Sequence, residues 1–264
     1  MTWIALYALT GALVGFLGGL LGIGGGMMLV PILAALFTAQ ALTPDHTVHL
    51  ALATAMASAV FTASASAREH HRHDAVDWNV VKRMAPGMMT GALLSTLASG
   101  WISQRTLAIA FACIVYAAAT QMLLGKKSHA TRDLPAAMPM FFIGTFIGSL
   151  SGLVSAGGTF LVVPVMLYCG IAMHTAIGTG AAIGISVTLI GTLGYIVGGW
   201  RVDNLPEYHL GFVFLPAFIA LAAGRVITAP FGARMTHRLP VVALKRIFAL
   251  LMYLLATKML VSYW

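Results

Sequence analysis

Two glycine-rich segments contain the residue types in this sequence that are best suited to binding an anion in apolar surroundings. The first runs from Gly11 to Pro31 and the second from Gly144 to Pro164, with glycine recurring at matching positions. Glycine has no side chain to keep a ligand away from backbone N–H groups. A helix that restarts after such a run presents its first N–H groups and the positive end of its dipole, which together favour an anion. We therefore predict ligand binding where these helices restart.

Hydroxyl groups distinguish the second segment from the first. Ser155 and Thr159 stand where the first segment has Gly22 and Gly26. A hydroxyl can donate a hydrogen bond to an oxygen of an anion. The second segment is therefore predicted to add side-chain donors to the same kind of backbone site.

Five further polar residues lie in apolar stretches and are candidates for the site. His49 and His174 occupy corresponding positions, and imidazole titrates near neutrality, although a hydrated histidine at the membrane interface fits the pattern equally well. Thr54 and Thr179 lie further along, where a hydroxyl bonds back to its own helix or faces a cavity. Arg225 is functional, or lies close enough to a membrane face to reach water. The predicted substrate-binding residues are Gly22, Gly24, Gly25, Gly26, Ser155, Gly157, Gly158, Thr159, Thr54, Thr179, His49, His174 and Arg225.

The composition places these residues in a membrane protein. Of 264 residues, 59% are apolar and only 8% are charged, whereas about 25% are charged in an ordinary soluble domain. Charged residues are absent from 1–44, 46–67, 84–104, 106–125 and 134–200, and roughly 20 apolar residues suffice to cross the hydrocarbon core. Soluble enzymes, disordered chains and disulfide-rich secreted modules are excluded. An all-α polytopic membrane protein is predicted.

The glycine-rich segments mark an internal repeat. A shift of 133 residues aligns 11–31 with 144–164, with nine identities in 21 positions. We predict one integral membrane domain with repeat one at 1–128 and repeat two at 134–264. Each repeat has a long glycine-interrupted segment followed by three ordinary spans, because crowded glycines weaken a helix interior. The predicted segments are 3–38, 46–67, 80–101, 106–125, 136–169, 172–199, 208–229 and 241–262.

Charge placement predicts that neither interrupted segment crosses the membrane. If both turn back, 11 basic residues share one face and three lie on the other, as the positive-inside rule requires. If each crossed once, the basic residues of 68–83 and 234–246 would lie on opposite faces. The second half is then inserted upside down. This predicts two inverted-topology repeats with about 8–10 helical elements, cytoplasmic basic loops and periplasmic termini, an arrangement typical of secondary transporters.

The duplicated motif resembles that of the sulfite exporter TauE/SafE family of membrane permeases. The family form GxxxGxxGxGGG runs from Gly15 to Gly26 and is followed by Pro31. Ser155 stands where the family commonly has glycine. The resemblance implies outward transport of small sulfur-containing anions, such as sulfite or organosulfonates, across a bacterial inner membrane. The second copy of the motif, and the blocks that follow each copy, are Gly148, Ser151, Gly152, Gly157, Gly158, Pro164, His49–Thr54 and His174–Thr179.

Other functions stay open at this point. A passive anion channel, or a transporter of another small organic anion or of a metal ion, fits the same architecture. A metal ion would use the three histidines of 68–74, but two arginines there oppose a divalent cation, so a solvated cytoplasmic loop is predicted. A membrane enzyme is disfavoured because the spans lack Asp and Glu. The glycine run is not a nucleotide loop, because it lacks the Lys-Ser/Thr that such a loop requires. No cofactor, metal or nucleic acid is predicted. The expected partners are the substrate and the bilayer, and a homo-oligomer is compatible with the sequence.

Overall fold

The protein is a bundle of apolar helices. The computed structural model describes residues 2–21, 25–124, 134–235 and 241–263, without side chains for residues 21 and 241–247. Five helices are long and apolar enough to cross a membrane, and the described residues form strands only in one short hairpin. The prediction of an all-α polytopic membrane protein is confirmed. In chain order the elements are α1 (Thr2–Leu21), α2 (Gly26–Ala39), α3 (Thr47–Arg72), α4 (Trp78–Ala98), a 3₁₀ turn (Ser99–Trp101), α5 (Gln104–Leu124), α6 (Ala137–Leu153), α7 (Thr159–Tyr168), α8 (Met173–Gly198), β1 (His209–Leu210), β2 (Val213–Phe214), α9 (Leu215–Met235) and α10 (Val241–Tyr263).

Two element boundaries differ from the sequence-based prediction. α9 begins at Leu215 rather than at 208, because β1 and β2 pair as an antiparallel hairpin around Gly211, whose φ is +55°. α3 continues to Arg72, so the prediction of a loop over 68–74 is wrong for 68–72. At 1.5 Å per residue, its 26 residues extend to about 39 Å, longer than a ~30 Å hydrocarbon core. The charged last turns of α3 can therefore lie beyond the apolar layer and remain helical.

Both interrupted segments are broken and turn back. α2 ends beside the start of α1, where the Gln40 amide donates to the Tyr7 hydroxyl and the rings of Tyr7 and Phe37 are in edge contact, 6.1 Å apart between centroids. In the second half, α6 and α8 both begin level with the start of α4. Gly144 packs on Met84, and the start of α8 is hydrogen-bonded just before α4. Each broken pair thus returns to the end of the bundle at which it began.

Glycine lets the first helix of each half pack closely against a long helix of the other half. α1 runs parallel to α9, and a methyl group on Gly11 would lie 2.5 Å from the carbonyl oxygen of Leu221. α6 runs parallel to α4 in the same way, and a methyl group on Gly144 would lie 2.6 Å from the carbonyl oxygen of Met84. Small residues at i, i+4 spacing permit such backbone approach between membrane helices. Two cross-half pairs, α1–α9 and α4–α6, therefore form the scaffold.

The remaining contacts fix the helix directions. α3 and α8 run antiparallel, since Gly178 lies beside His70 and Gly191 beside Met56. α5 and α10 are also antiparallel, joined by a 2.7 Å hydrogen bond between the hydroxyls of Tyr116 and Thr257. These directions are the ones that an inverted repeat requires. The repeat and its boundaries stay a prediction.

One end of the bundle is strongly basic. α3 and α9 end there and α4 begins there, as the approach of Arg234 to Glu69 shows. Arg105 and Arg201 lie at the opposite end, in or beside the connections that follow α4 and α8. We call the first of these the basic end; its described basic side chains are Arg68, Arg72, Lys82, Arg83 and Arg234.

Candidate anion site at the helix breaks

Each helix restart is formed by a glycine in the left-handed region. Gly25 caps α2 with φ 66° and ψ 2°, and Gly158 caps α7 with φ 83° and ψ −11°. Such a backbone costs an L residue roughly 1–2 kcal/mol and costs glycine little. α2 and α7 consequently begin at Gly26 and Thr159, within the predicted restarts. Their first N–H groups have no acceptor within the helix and carry the positive end of the dipole.

The two breaks meet inside the protein. Gly26 packs against the backbone of Ser155 so closely that any side chain at 26 would overlap the Ser155 carbonyl oxygen. The Ser155 hydroxyl donates to the carbonyl of Leu52 at 2.7 Å, so this predicted donor serves α3. Gly157 faces Gly184 of α8, where a methyl group would lie 3.1 Å from Cα. The predicted glycines at 25, 26, 157 and 158 are thus brought together.

Arg225 lies at the first break. It is fully buried and is the eleventh of 21 residues in α9, about 15 Å from either end at 1.5 Å per residue. Its Nη1 donates to the Thr62 hydroxyl at 3.3 Å and its Nη2 to the Gly25 carbonyl at 3.5 Å. Gly15 of α1 makes room for this arrangement, since a methyl group there would lie 2.8 Å from the Arg225 Cα. Arg225 is therefore more than one helical turn from either end of α9.

A buried hydroxyl stripe on α3 runs past Arg225. Thr54, Ser58, Thr62 and Ser66 are four residues apart and all buried, so they share one face of the helix. The Ser66 hydroxyl has no hydrogen-bond partner among the described residues. Thr62 and Ser66 were missed from the sequence, although hydroxyl residues at i, i+4 spacing in an apolar helix are a readable signal. The stripe provides polar atoms from the first break toward the basic end.

The two predicted threonines lie at corresponding positions of α3 and α8, where each accepts a backbone hydrogen bond. The Thr54 hydroxyl accepts a hydrogen bond from the N–H of Phe214, just before α9, at 3.0 Å. The Thr179 hydroxyl accepts one from the N–H of Asp77, just before α4, at 2.9 Å. Each threonine satisfies a backbone donor of the opposite half, and we call the two bonds the threonine latches.

The two predicted histidines are not beside the breaks. His49 is buried, with Nε2 3.0 Å from the carbonyl oxygens of both Ser99 and Ile102 and its ring stacked on Phe212 at 4.9 Å. These contacts join the start of α3 to the α4–α5 connection and the hairpin. His174 is exposed in the first turn of α8.

Of the other predicted residues, one lies at the second break and two lie outside the described residues. Thr159 is buried as the first residue of α7, where a methyl group on Gly180 would lie 2.7 Å from its Cγ2. Gly22 and Gly24 lie outside the described residues. Within the described part of the chain, no three His, Cys, Asp or Glu side chains are grouped as a metal ion would require.

The electrostatics of the first break favour a negatively charged ligand. A guanidinium, the start of α2 and the Thr62 hydroxyl all present positive charge or donors there. The stretches 1–44, 46–67 and 208–264, which supply α1, α2, α9 and most of α3, contain no Asp or Glu. A cation would find no carboxylate ligand in these stretches.

Comparison with known proteins identifies the family of this chain. The family model described as Sulfite exporter TauE/SafE matches residues 7–259. A "Probable membrane transporter protein" of Haemophilus influenzae is 36% identical over 98% of each chain. One from Xylella fastidiosa is 26% identical over 97% of this chain and 94% of its own length, and YunE of Bacillus subtilis is 23% identical over 98% of each. No solved structure matches. The chain therefore belongs to the sulfite exporter TauE/SafE family of membrane transporters.

Proposed function

We propose that this protein is a secondary transporter that exports small sulfur-containing anions, such as sulfite or organosulfonates, across a bacterial inner membrane. The main support for this proposal is Arg225, a buried guanidinium in the middle of α9 that contacts the backbone of the first helix break. A charge buried at that depth is costly, and such charges in membrane helices mark functional sites. The family description names sulfite, and an oxyanion matches the donors at this position.

The anion would bind where the two breaks meet, on the Arg225 side. Its oxygens would accept hydrogen bonds from the guanidinium, from the Thr62 hydroxyl and from N–H groups in the first turn of α2. Hydrogen bonds to a charged group contribute about 1.5–3 kcal/mol each. Gly25 and Gly26 keep side chains out of this space, which allows the ligand to reach the backbone.

Alternating access would follow from the helix arrangement. α1–α9 and α4–α6 are closely packed pairs, while the breaks between them meet through glycine and one serine. Rocking one pair against the other would open the breaks to either end in turn, as in transporters built from inverted repeats. Thr62 and Ser66 provide the polar route toward the basic end, which the positive-inside rule assigns to the cytoplasm. Both chain termini would then be periplasmic.

Transport of labelled sulfite by purified protein in proteoliposomes tests this proposal. We expect saturable flux that depends on a gradient, competed by organosulfonates and unaffected by divalent metal ions. Flux that never saturates would instead indicate a channel. Arg225→Gln should reduce transport by about 10- to 100-fold, corresponding to the loss of one charged hydrogen-bonding group.

The matched controls separate charge from position. Arg201→Gln removes an exposed positive charge at the opposite end and should leave transport unchanged. Arg225→Lys keeps the charge but loses the planar fork of donors, so it should retain part of the activity. Wild-type transport in Arg225→Gln would contradict the proposal.

A further inference from the structure

A groove opens between α3 and α9 at the basic end, on the outer side of the contact that buries Arg225. Its volume is about 530 Å³. Phe61 and Val226, which line it, directly adjoin the site residues Thr62 and Arg225 in sequence. The groove is lined by Phe61, Ser64, Ala65, Arg68, Glu69, Arg72, Val226, Pro230 and Arg234.

Positive charge gathers at the basic end of this groove. Three arginines line it and one carboxylate, Glu69, faces them. Glu69 is only 13% exposed and lies 3.9 Å from both Arg72 Nη1 and Arg234 Nε. The side chains of Arg72 and Arg234 remain 62% and 58% exposed. One acid thus holds two guanidiniums side by side, with most of their surface available to a ligand.

The rest of the groove is apolar and faces outward. Phe61 and Pro230 form part of its wall, and Val226 is 52% exposed. The neighbouring Ile227 and Phe231 on α9 are exposed as well, as expected for a helix surface that contacts acyl chains. The groove is therefore cationic at the membrane face and apolar toward the membrane interior.

We infer that this groove binds an anionic phospholipid. Its phosphate would lie between Arg68, Arg72 and Arg234, and an acyl chain would follow the apolar wall. Arginine suits phosphate because its donors match pairs of oxygens, and basic pockets between membrane helices recognise lipid headgroups. A small soluble anion would leave the apolar half of the groove unused. The inference does not depend on which anion is transported.

The bound lipid would join the two helices that hold the transport site. Thr62 lies on α3 and Arg225 on α9, and their hydrogen bond crosses between these helices. A headgroup bridging Arg68 or Arg72 to Arg234 would connect α3 to α9 about two turns further along. An anionic lipid should therefore stabilise the folded protein more than a zwitterionic one does.

Native mass spectrometry of the purified full-length protein tests the inference. With phosphatidylglycerol and phosphatidylcholine offered at equal concentration, we expect about tenfold preferential retention of phosphatidylglycerol, equivalent to roughly 1.4 kcal/mol. The Arg72→Gln, Arg234→Gln double variant should lose that preference. Lys82→Gln removes an exposed charge at the same end but outside the groove and should keep it. Equal retention of both lipids, or an equal loss in Lys82→Gln, would overturn the inference.

A second variant separates a lipid from a free anion without changing any charge. Val226→Trp alters an exposed position and fills the apolar part of the groove, so folding, checked by thermal unfolding, should be preserved. It should reduce phosphatidylglycerol retention severalfold. Unchanged retention would contradict the acyl-chain placement. Glycerol 3-phosphate should bind far more weakly than the lipid, and equal binding would indicate a soluble-anion site instead.

Discussion

The two helix breaks share a backbone conformation and differ in the side chain that reaches them from the opposite half. Gly25 and Gly158 both cap a restarting helix in the left-handed region. At the first break the guanidinium of Arg225 touches the Gly25 carbonyl. At the second, the methyl group of Met88 lies over Gly158, where any added side chain would overlap it. The first break has a charged side chain beside it and the second has an uncharged one.

Arg225 and Met88 occupy corresponding positions, as the threonine latches show. One latch fixes Phe214 and the other fixes Asp77. Arg225 follows Phe214 by eleven residues, and Met88 follows Asp77 by the same eleven.

The hydroxyl beside the first break has an apolar counterpart in the other half. Thr62 follows Thr54 by eight residues, and Val187 follows Thr179 by eight. Both are differences of side chain within one arrangement of helices. Under the proposed function, they would confine anion binding to the first break.

Arg225→Met should have the largest effect on function, because it gives the first break the side chain of the second. We expect transport to fall by about 100-fold. Thermal stability should be unchanged or higher, because the desolvation cost of a buried guanidinium is removed. Met88→Leu is the matched control and should change transport by less than roughly twofold, since a similar volume is kept. Proteoliposome flux and thermal unfolding in detergent check both variants. Rapid transport by Arg225→Met would show that transport does not need the charge at the first break.

Alanine at the two capping glycines should show how rigid each break is. In both variants, an alanine in the left-handed region lowers the free energy of unfolding by about 1–2 kcal/mol. At Gly25 the new methyl group would also lie 2.8 Å from the carbonyl oxygen of Val14, which is backbone. At Gly158 it meets the end of the flexible Met88 side chain. Thermal unfolding should therefore show a greater loss for Gly25→Ala.

In a double-mutant cycle, Met88→Ala and Gly158→Ala together should cost less stability than the sum of their separate losses, a partial recovery that arises because Met88→Ala removes the overlapping methyl group. The same substitution should not help Gly25→Ala, which serves as the control. A larger loss at Gly158 than at Gly25, or no recovery in the double variant, would contradict the described packing.

Replacing Thr62 or Val187, each by the residue type of the other, should affect sulfite binding less than Arg225→Met does. Thr62→Val removes one hydrogen bond to a charged group, worth about 1.5 kcal/mol, and should weaken sulfite affinity by about tenfold. Val187→Thr adds a hydroxyl on the side of the second break and should leave affinity unchanged. The concentration dependence of flux measures sulfite affinity in both variants. Equal losses of affinity would mean that both breaks contribute to sulfite binding.

The threonine latches should respond alike and affect transport least. Thr54→Val and Thr179→Val each leave a backbone N–H without its acceptor, at a cost of about 1–3 kcal/mol in folding free energy. The unfolding temperature should drop by similar amounts in the two variants, while sulfite affinity stays within roughly twofold because each hydroxyl is already bonded to a backbone N–H. A selective loss of affinity in one of them would instead place that threonine at the substrate.

Much of the fold follows from local physical rules. Crowded glycines cannot continue a helix cheaply, so the breaks near Gly25 and Gly158 were predictable. The sparse charges indicated that the broken segments turn back, as the contact between Gln40 and Tyr7 shows. The start of α9 was misplaced because the hairpin at 209–214 is as apolar as the helix after it.

The site was harder to predict because its contacts join distant parts of the chain. Arg225 was a candidate, yet its partner Thr62 lies 163 residues away, and no local pattern specifies that α3 packs on α9. Thr54 and Thr179 show the same difficulty, because in the sequence a buried hydroxyl looks the same whether it holds a ligand or a backbone N–H. Only the tertiary arrangement separates these cases.

The stoichiometry of anion binding distinguishes one charged site per chain from two equivalent sites. Isothermal titration of sulfite into the purified protein should give one equivalent per chain in wild type and in Met88→Leu, and no detectable binding in Arg225→Met. Two equivalents per chain, or binding that survives in Arg225→Met, would contradict a single anion site at the charged break.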